Sequence, residues 1–267
     1  MKSLLTFDHI VHFVNDLEAP LRFFQSNQHH VVKGGIHENW GTSNALFYTG
    51  LSYIEFLAIK DHSKVKKSTN PLIKLLAHDV KRSQGFGTIC LRTENLEWLK
   101  RHLNENGFVT GEIIHASRKR ADGSLLRWKM LFMKQAAEND LPWPFFIQWE
   151  MNDSQRLIDL KKQNILKQNQ ENIHVKAIQF IVKNVEEKAN KWKKAFQMID
   201  HPIELNRELK VKQKKLTLDG VDFIFMAPLE ESIYSTCLKK RGERPVGIQF
   251  TESLFQQPTL YLGSYYY

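Results

Sequence analysis

The chain predicts an α+β fold in which repeated βαβββ units curve into half-barrel sheets with helices on their outer side. Three observations lead there. An apolar β-rich run, a polar cap and an amphipathic helix occur together three times. Each occurrence is followed by further short strand-like runs. A single unit of this kind leaves one sheet face bare, and pairing with a second unit covers it.

The three segments are "FDHIVHFVNDLEAPLRFF", "GFGTICLRTENLEWLKRHL" and "HVKAIQFIVKNVEEKANKWKKAF". Their caps, "NDLE", "ENLE" and "KNVE", fall at the same place, with Asp16, Thr93 or Asn184 available to accept the free amide hydrogens of the first helical turn. After the first helix, "HHVVKGGIHE", "SNALFYTG" and "LSYIEFLAI" read as three strands with a tight turn at Gly50. After the second, Gly107 ends the helix, and "GEIIHASRK", "SLLRWKMLFM" and "FFIQWEM" follow, with a turn at Ala121-Asp122-Gly123. The third copy offers "VKQKKLTL", an Asp219-Gly220 hairpin and "VDFIFMA", and then a further strand, "PVGIQFTE". Residues 1–152 therefore read as two paired units, 153–172 as a polar linker, and 173–267 as a degenerate unit with an extra strand. Between the first two units, "NPLIKLLAHDVKR" reads as a separate helix started by Asn70 and Pro71, expected to pack on the outside.

With 267 residues, 42% of them hydrophobic, the chain can bury a substantial core. No apolar run reaches the roughly 20 residues that span a bilayer, and the start "MKSLLTFDHI" lacks a signal-length apolar segment, so a cytoplasmic protein without membrane contact is expected. The two cysteines, Cys90 and Cys237, are far apart and indicate neither a disulfide scaffold nor a thiolate zinc site. The formal charge of +9 resides largely in "LKKQNILKQNQ", "EEKANKWKKAF" and "LKVKQKK", which read as solvated faces. No aromatic platform is interleaved with these lysines, so nucleic acid is not the expected partner.

Strands alternate faces, so the first one turns His9 and His12 opposite ways: His9 goes with Val11 and Phe13, and His12 with Ile10 and Val14. Glu55 and Glu150 each interrupt an apolar final strand of their unit, where a carboxylate is costly unless it is paired, protonated or bound to metal. If the two units pack about a pseudo-twofold axis, His9, Glu55 and Glu150 converge. One imidazole with two carboxylates suits manganese, iron, nickel or zinc, with an open side for water or substrate. The counterpart of His9 is Thr88 in unit two and Ala177 in unit three, where Phe225 is expected in place of the glutamates, so the C-terminal unit is expected to be metal-free. The plainer alternative is a hydrogen-bonded core histidine, two wet glutamates and no metal. For substrate contact, "GGIHENWGTSN" offers His37, Trp40 and Asn44, and "HASRKRADGSLLRW" offers Arg118, Lys119, Arg120 and Arg127 for a carboxylate or phosphate. An ordinary hairpin and a charged hairpin tip are the respective alternatives.

Repeated βαβββ units with a histidine on the first strand and a glutamate on the fourth resemble the vicinal oxygen chelate superfamily, which includes glyoxalase I and the extradiol dioxygenases. More closely, "FDHIVHFVNDLE", "GGIHENWGTSNALFY", "LSYIEFLAI" and "FFIQWE" resemble the glyoxalase-like domain proteins of bacilli and staphylococci over the first 150 or so residues. The resemblance implies a divalent ion at His9, Glu55 and Glu150 that chelates substrate oxygens, with Thr88 departing from the usual second histidine. It implies a lyase, isomerase or dioxygenase acting on a small oxygen-rich metabolite, with Glu55 or Glu150 as general base, in a monomer or homodimer. The alternative it leaves open is a non-catalytic protein of the same fold that binds or sequesters a small molecule.

Overall fold

The computed structural model describes residues 4–119, 123–134 and 140–267. Unit one runs through β1 (Thr6–Phe13), α1 (Glu18–Ser26), β2 (Val32–His37), β3 (Thr42–Thr49) and β4 (Ser52–Ile59). Two connecting helices, α2 (His62–Lys67) and α3 (Pro71–Asp79), lead to unit two: β5 (Gly85–Arg92), α4 (Leu96–Glu105), β6 (Ile114–Lys119), β7 (Leu125–Leu131) and β8 (Phe145–Trp149). These strands form one eight-stranded sheet in the order β2-β3-β4-β1-β5-β8-β7-β6. At its centre, β1 and β5 run antiparallel, with His9 opposite Cys90 and Val11 opposite Thr88. That pair carries the pseudo-twofold relation between the units.

The span read as a linker is built of helix: α5 (Asp153–Lys162) and α6 (Gln168–Glu171). Asn152 and Gln155 close a reciprocal capping box at the start of α5. A third unit follows, β9 (Val175–Ile181), α7 (Val185–Phe196), β10 (Ile199–Asn206), β11 (Val211–Leu218) and β12 (Val221–Pro228), and then α8 (Ile233–Arg241), β13 (Arg244–Phe250), β14 (Thr259–Tyr261) and β15 (Ser264–Tyr266). Together they make a seven-stranded sheet, β10-β11-β12-β9-β13-β15-β14. The C-terminal region therefore adds three strands beyond its complete unit, where the sequence suggested one. β10 had escaped notice because Pro202 interrupts it; the ladder slips there, as an edge strand permits.

Helix starts follow the aligned caps with one correction. Asp16 accepts from the amide of Ala19 and Asn184 from that of Glu187, but in unit two the cap is Asn95, which accepts from Trp98, and not Thr93. Asn95 is the true counterpart of Asp16 and Asn184. The helix-bearing faces of the two sheets share one core that includes Ile10, Phe24, Phe56, Phe146, Ile178 and Trp192. The other face of the first sheet is lined by Val11, Phe13, Leu57, Cys90, Met130 and Phe145. Helix α3 packs against this inner face through Leu72 and Leu76, one turn apart, and so plugs one end of the half-barrel instead of lying outside it. Gly87 makes room for the Phe13 ring there, since a Cβ at that position would overlap it.

His12, on the opposite face from Val11, joins the two halves of the chain. Its Nδ1 lies 2.6 Å from the Tyr266 hydroxyl and its Nε2 3.1 Å from the Leu262 carbonyl oxygen. A carbonyl can only accept, so Nε2 carries the proton and Nδ1 receives the tyrosine O–H. Among the described residues no helix is long and apolar enough to cross a membrane.

Candidate functional site

His9 lies between two carboxylates. Its Nδ1 donates to Asp8 Oδ1 at 2.7 Å, and its Nε2 lies 3.6 Å from Glu55 Oε2. Plain alternation would turn Asp8 to the helix side, but the β1–β5 ladder slips between Phe7 and His9, and the resulting bulge brings the Asp8 carboxylate beside the ring. Asp8 is fully buried and is also met by Trp149 Nε1 at 3.0 Å, Arg156 Nη1 at 3.5 Å and Arg92 Nη1 at 3.9 Å. Burial alone would raise its pKa from the ordinary 3.8; the Arg156 guanidinium, the His9 hydrogen bond and Arg92 outweigh burial and hold it at about 2. Asp8 therefore stays ionised and fixes the His9 tautomer with the proton on Nδ1.

That tautomer leaves Nε2 free to take a proton on the side facing Glu55. The Tyr53 ring stacks on His9 at 4.3 Å and Phe145 meets it edge-on at 5.4 Å, so the imidazole cannot swing. Glu55 is anchored in turn: its Oε1 accepts from Asn44 Nδ2 at 2.6 Å, and Asn44 Oδ1 accepts from the Gly35 amide at 2.9 Å. Gly34 is required at this point, because a Cβ there would overlap the Asn44 amide.

Gly35 opens onto a cleft of about 810 Å³ between β2 and β6, the two edges of the curled sheet, with His37, Trp40, Ile114, Arg118 and Trp128 among its walls. His37 is pushed down from its ordinary value by burial, against the raising effect of Glu55 and together with the lowering effect of Arg118; its Nδ1 lies 3.0 Å from Thr42 Oγ1. Of the expected residues, His37, Trp40 and Arg118 line this cleft, whereas His9, Glu55 and Asn44 are buried behind it and are joined to its wall through the Gly35 amide. Arg120 lies outside the described residues, and so do Ala121 and Asp122 of the expected turn.

Glu150 does not join them. It is exposed, ion-paired with Arg127 at 3.4 Å, and lines a separate cleft with Trp98 and Asn152. Strand register gives the reason. Glu55 pairs with Val11, whose counterpart in unit two is Cys90, and Cys90 pairs with Phe145. Phe145, not Glu150, stands at the place related to Glu55. By the same register the counterpart in the third unit is Ile224, opposite Gln179, and not Phe225. Thr88 donates to the Trp143 carbonyl and is not turned toward a metal.

The expected three-ligand metal centre is therefore incomplete. His9 Nε2 and Glu55 Oε2 are close enough to share an ion, with Asp8 behind the imidazole as metal-bound histidines commonly have, but they are two donors where catalytic sites usually provide three. Asp8, His9 and Cys90 also bring one potential ligand atom each within 4.8 Å of one another. That set suits a cation poorly, because two arginines already neutralise Asp8 and burial pushes the Cys90 thiol well above its ordinary range.

Asp8, Tyr53, Trp149 and Arg156 were not anticipated as parts of the site. Asp8 depends on the bulge, and Arg156 comes from the supposed linker. The one sequence signal for Arg156 was an arginine on the leucine-bearing face of "SQRLIDL".

Comparison with known proteins agrees with this architecture. A structure from Staphylococcus aureus, described as a hypothetical protein, superposes with a TM-score of 0.77 at 24% identity, covering 98% of each chain. A mutant 4-hydroxymandelate synthase from Streptomyces coelicolor superposes with a TM-score of 0.61 at 10% identity, covering 94% of this chain and 71% of the synthase. Methylmalonyl-CoA epimerase from Mycobacterium tuberculosis is 18% identical over 58% of this chain and 95% of its own, with a TM-score of 0.39. No curated protein sequence matches. The family model for the glyoxalase-like domain matches residues 7–196. With that match over most of its length and the paired βαβββ sheet beneath it, the chain belongs to the glyoxalase-like domain family.

Proposed function

We propose that the protein is an enzyme that moves a proton on a small, oxygen-rich organic molecule bound in the cleft between β2 and β6, as an isomerase or lyase does. The observation that carries this reading is the Asp8–His9–Glu55 line. An ionised, fully buried carboxylate fixes Nδ1–H, and the opposite nitrogen is turned toward a second carboxylate, which Asn44 links to the Gly35 backbone at the cleft wall. In this arrangement His9 Nε2 accepts a proton from a carbon or hydroxyl acidified by a neighbouring carbonyl. Asp8 and Glu55 stabilise the imidazolium that forms, and Asn44 keeps Glu55 in place. The stacked Tyr53 ring and the edge-on Phe145 ring exclude water from around the imidazole.

Incubating the protein with a metabolite library in deuterated water and following solvent-derived deuterium by NMR tests this reading. Exchange is expected with at least one oxygen-bearing compound, and His9→Gln and Glu55→Gln are each expected to slow it by about a hundredfold or more. Exchange that proceeds equally in the His9→Gln protein overturns the assignment. A divalent ion shared by His9 Nε2 and Glu55 is the second reading, favoured by their 3.6 Å separation. Such an ion would supply Lewis acidity toward a substrate oxygen. Stoichiometric metal in protein purified without added metal, lost in Glu55→Gln, favours this second reading over the first.

A further inference from the structure

We infer that Arg118, laid across Gly35, is a clasp that recognises the anionic headgroup of an aromatic organic acid whose ring lies in the cleft. The inference rests on the cleft being the substrate site. Arg118 comes from β6 and Gly35 from β2, the two outermost strands of the eight-stranded sheet. A Cβ on Gly35 would overlap Arg118 Cδ and come within 3.0 Å of its Nη1, so the arginine stem rests directly on the bare backbone of the opposite edge. It thereby bridges the mouth of the half-barrel.

The guanidinium is well placed for an external partner. Among the described residues no ion pair or hydrogen bond engages Arg118. A guanidinium in a half-enclosed cleft offers a planar fork of donors to a carboxylate or phosphate. The acids nearby are already used, Glu38 by Lys64, Glu18 by Lys33, and Glu55 by Asn44 and His9. Lys33 lines the same cleft, paired with Glu18, and His37 and His115 add imidazole groups able to donate hydrogen bonds to an anion. The cleft's apolar wall, formed by Trp40, Trp128, Ile36 and Ile114, suits a flat ring.

Three probes of nearly equal size test the clasp by calorimetric titration: 3-phenylpropanoate, phenyl phosphate and the uncharged 3-phenylpropanamide. At least one anion is expected to bind, with the amide weaker by about tenfold or more, and the tighter anion identifies the headgroup. Arg118→Met should abolish that preference. Gly35→Ala should weaken it as well without removing any charge, because its Cβ displaces the arginine; the backbone there is not left-handed, so alanine adds no strain of its own. Equal binding of amide and anions, binding of none of the three, or an anion preference that survives Arg118→Met overturns the inference. His9→Gln separates this inference from the proton-transfer reading: it removes exchange if that reading holds, while the anion preference stands or falls with Arg118 alone.

Discussion

Replacing Arg156 with methionine isolates the helix that ties the connecting segment to the site. The methionine keeps the stem packed over the Trp149 ring, where the guanidinium carbon now lies 4.4 Å from the centroid, and removes the charge facing Asp8. Removing one partner of a buried ion pair costs roughly 3 to 5 kcal/mol, and the lower end is expected because Arg92 and the Trp149 N–H still face the carboxylate. The pH dependence is more diagnostic than the loss itself. In the parent protein Asp8 is held at about 2, below its ordinary 3.8, so its contribution of about 2 kcal/mol is complete above 3.8 and is lost as pH falls through 2. Without Arg156, burial is opposed only by His9 and Arg92, so the carboxyl rises from about 2 and takes its proton earlier as pH falls. Urea unfolding from neutral pH downward should therefore show the variant's deficit shrinking on acidification. A deficit that stays constant with pH, or no deficit at all, would refute the role assigned to Arg156.

Three further outcomes are expected. Burial pushes His12 down from 6.5 to about 3, so its contribution is present above 6.5 and declines as pH falls toward 3, with a ceiling of about 5 kcal/mol; His12→Gln should flatten the acid limb of a stability-against-pH curve. Gly34→Ala should disturb Asn44 and slow exchange to the level of Asn44→Ala, measured by the deuterium assay, and unequal losses would separate the two residues. Chelator treatment should leave the thermal midpoint of the purified protein unchanged, since the described donors do not make a full shell, whereas a fall of several degrees would indicate a resident ion.

Periodicity and capping were legible because both are local. Asn184 caps α7 and Asp219-Gly220 makes its hairpin with both residues at positive φ, as the dipeptide suggests. Glu150 was misplaced because alignment by strand order does not fix register across a sheet. β8 is short and begins only after a long excursion from β7, so its pairing with β5 decides which residue stands beside His9. Asp8 was missed for a related reason, since strict alternation assigns it to the wrong face and only the bulge corrects it. Helix α3 was placed outside because its Leu72 and Leu76 reveal an apolar face but not which sheet surface lacks a cover.

The two units of the first sheet carry different chemistry at related places, and this difference explains the form of the site. Unit one carries titratable groups at the centre, His9 and Glu55, and its bulge brings Asp8 beside them. At the places related to His9 and Glu55, unit two carries Thr88, satisfied by a backbone carbonyl, and Phe145; Cys90, opposite His9 on β5, is a buried thiol. A symmetric half-barrel could surround an ion with donors from both sides, whereas here one side presents an apolar wall to the imidazole. The wall holds His9 rigid through Phe145 and keeps water from its face, which favours proton transfer over ion coordination. What unit two contributes instead lies at the rim, where Arg118 reaches across to Gly35. Under the proposed function, chemistry falls to one unit and recognition to the other, and a substrate bridging the two would carry its reactive carbon toward unit one and its charge toward unit two.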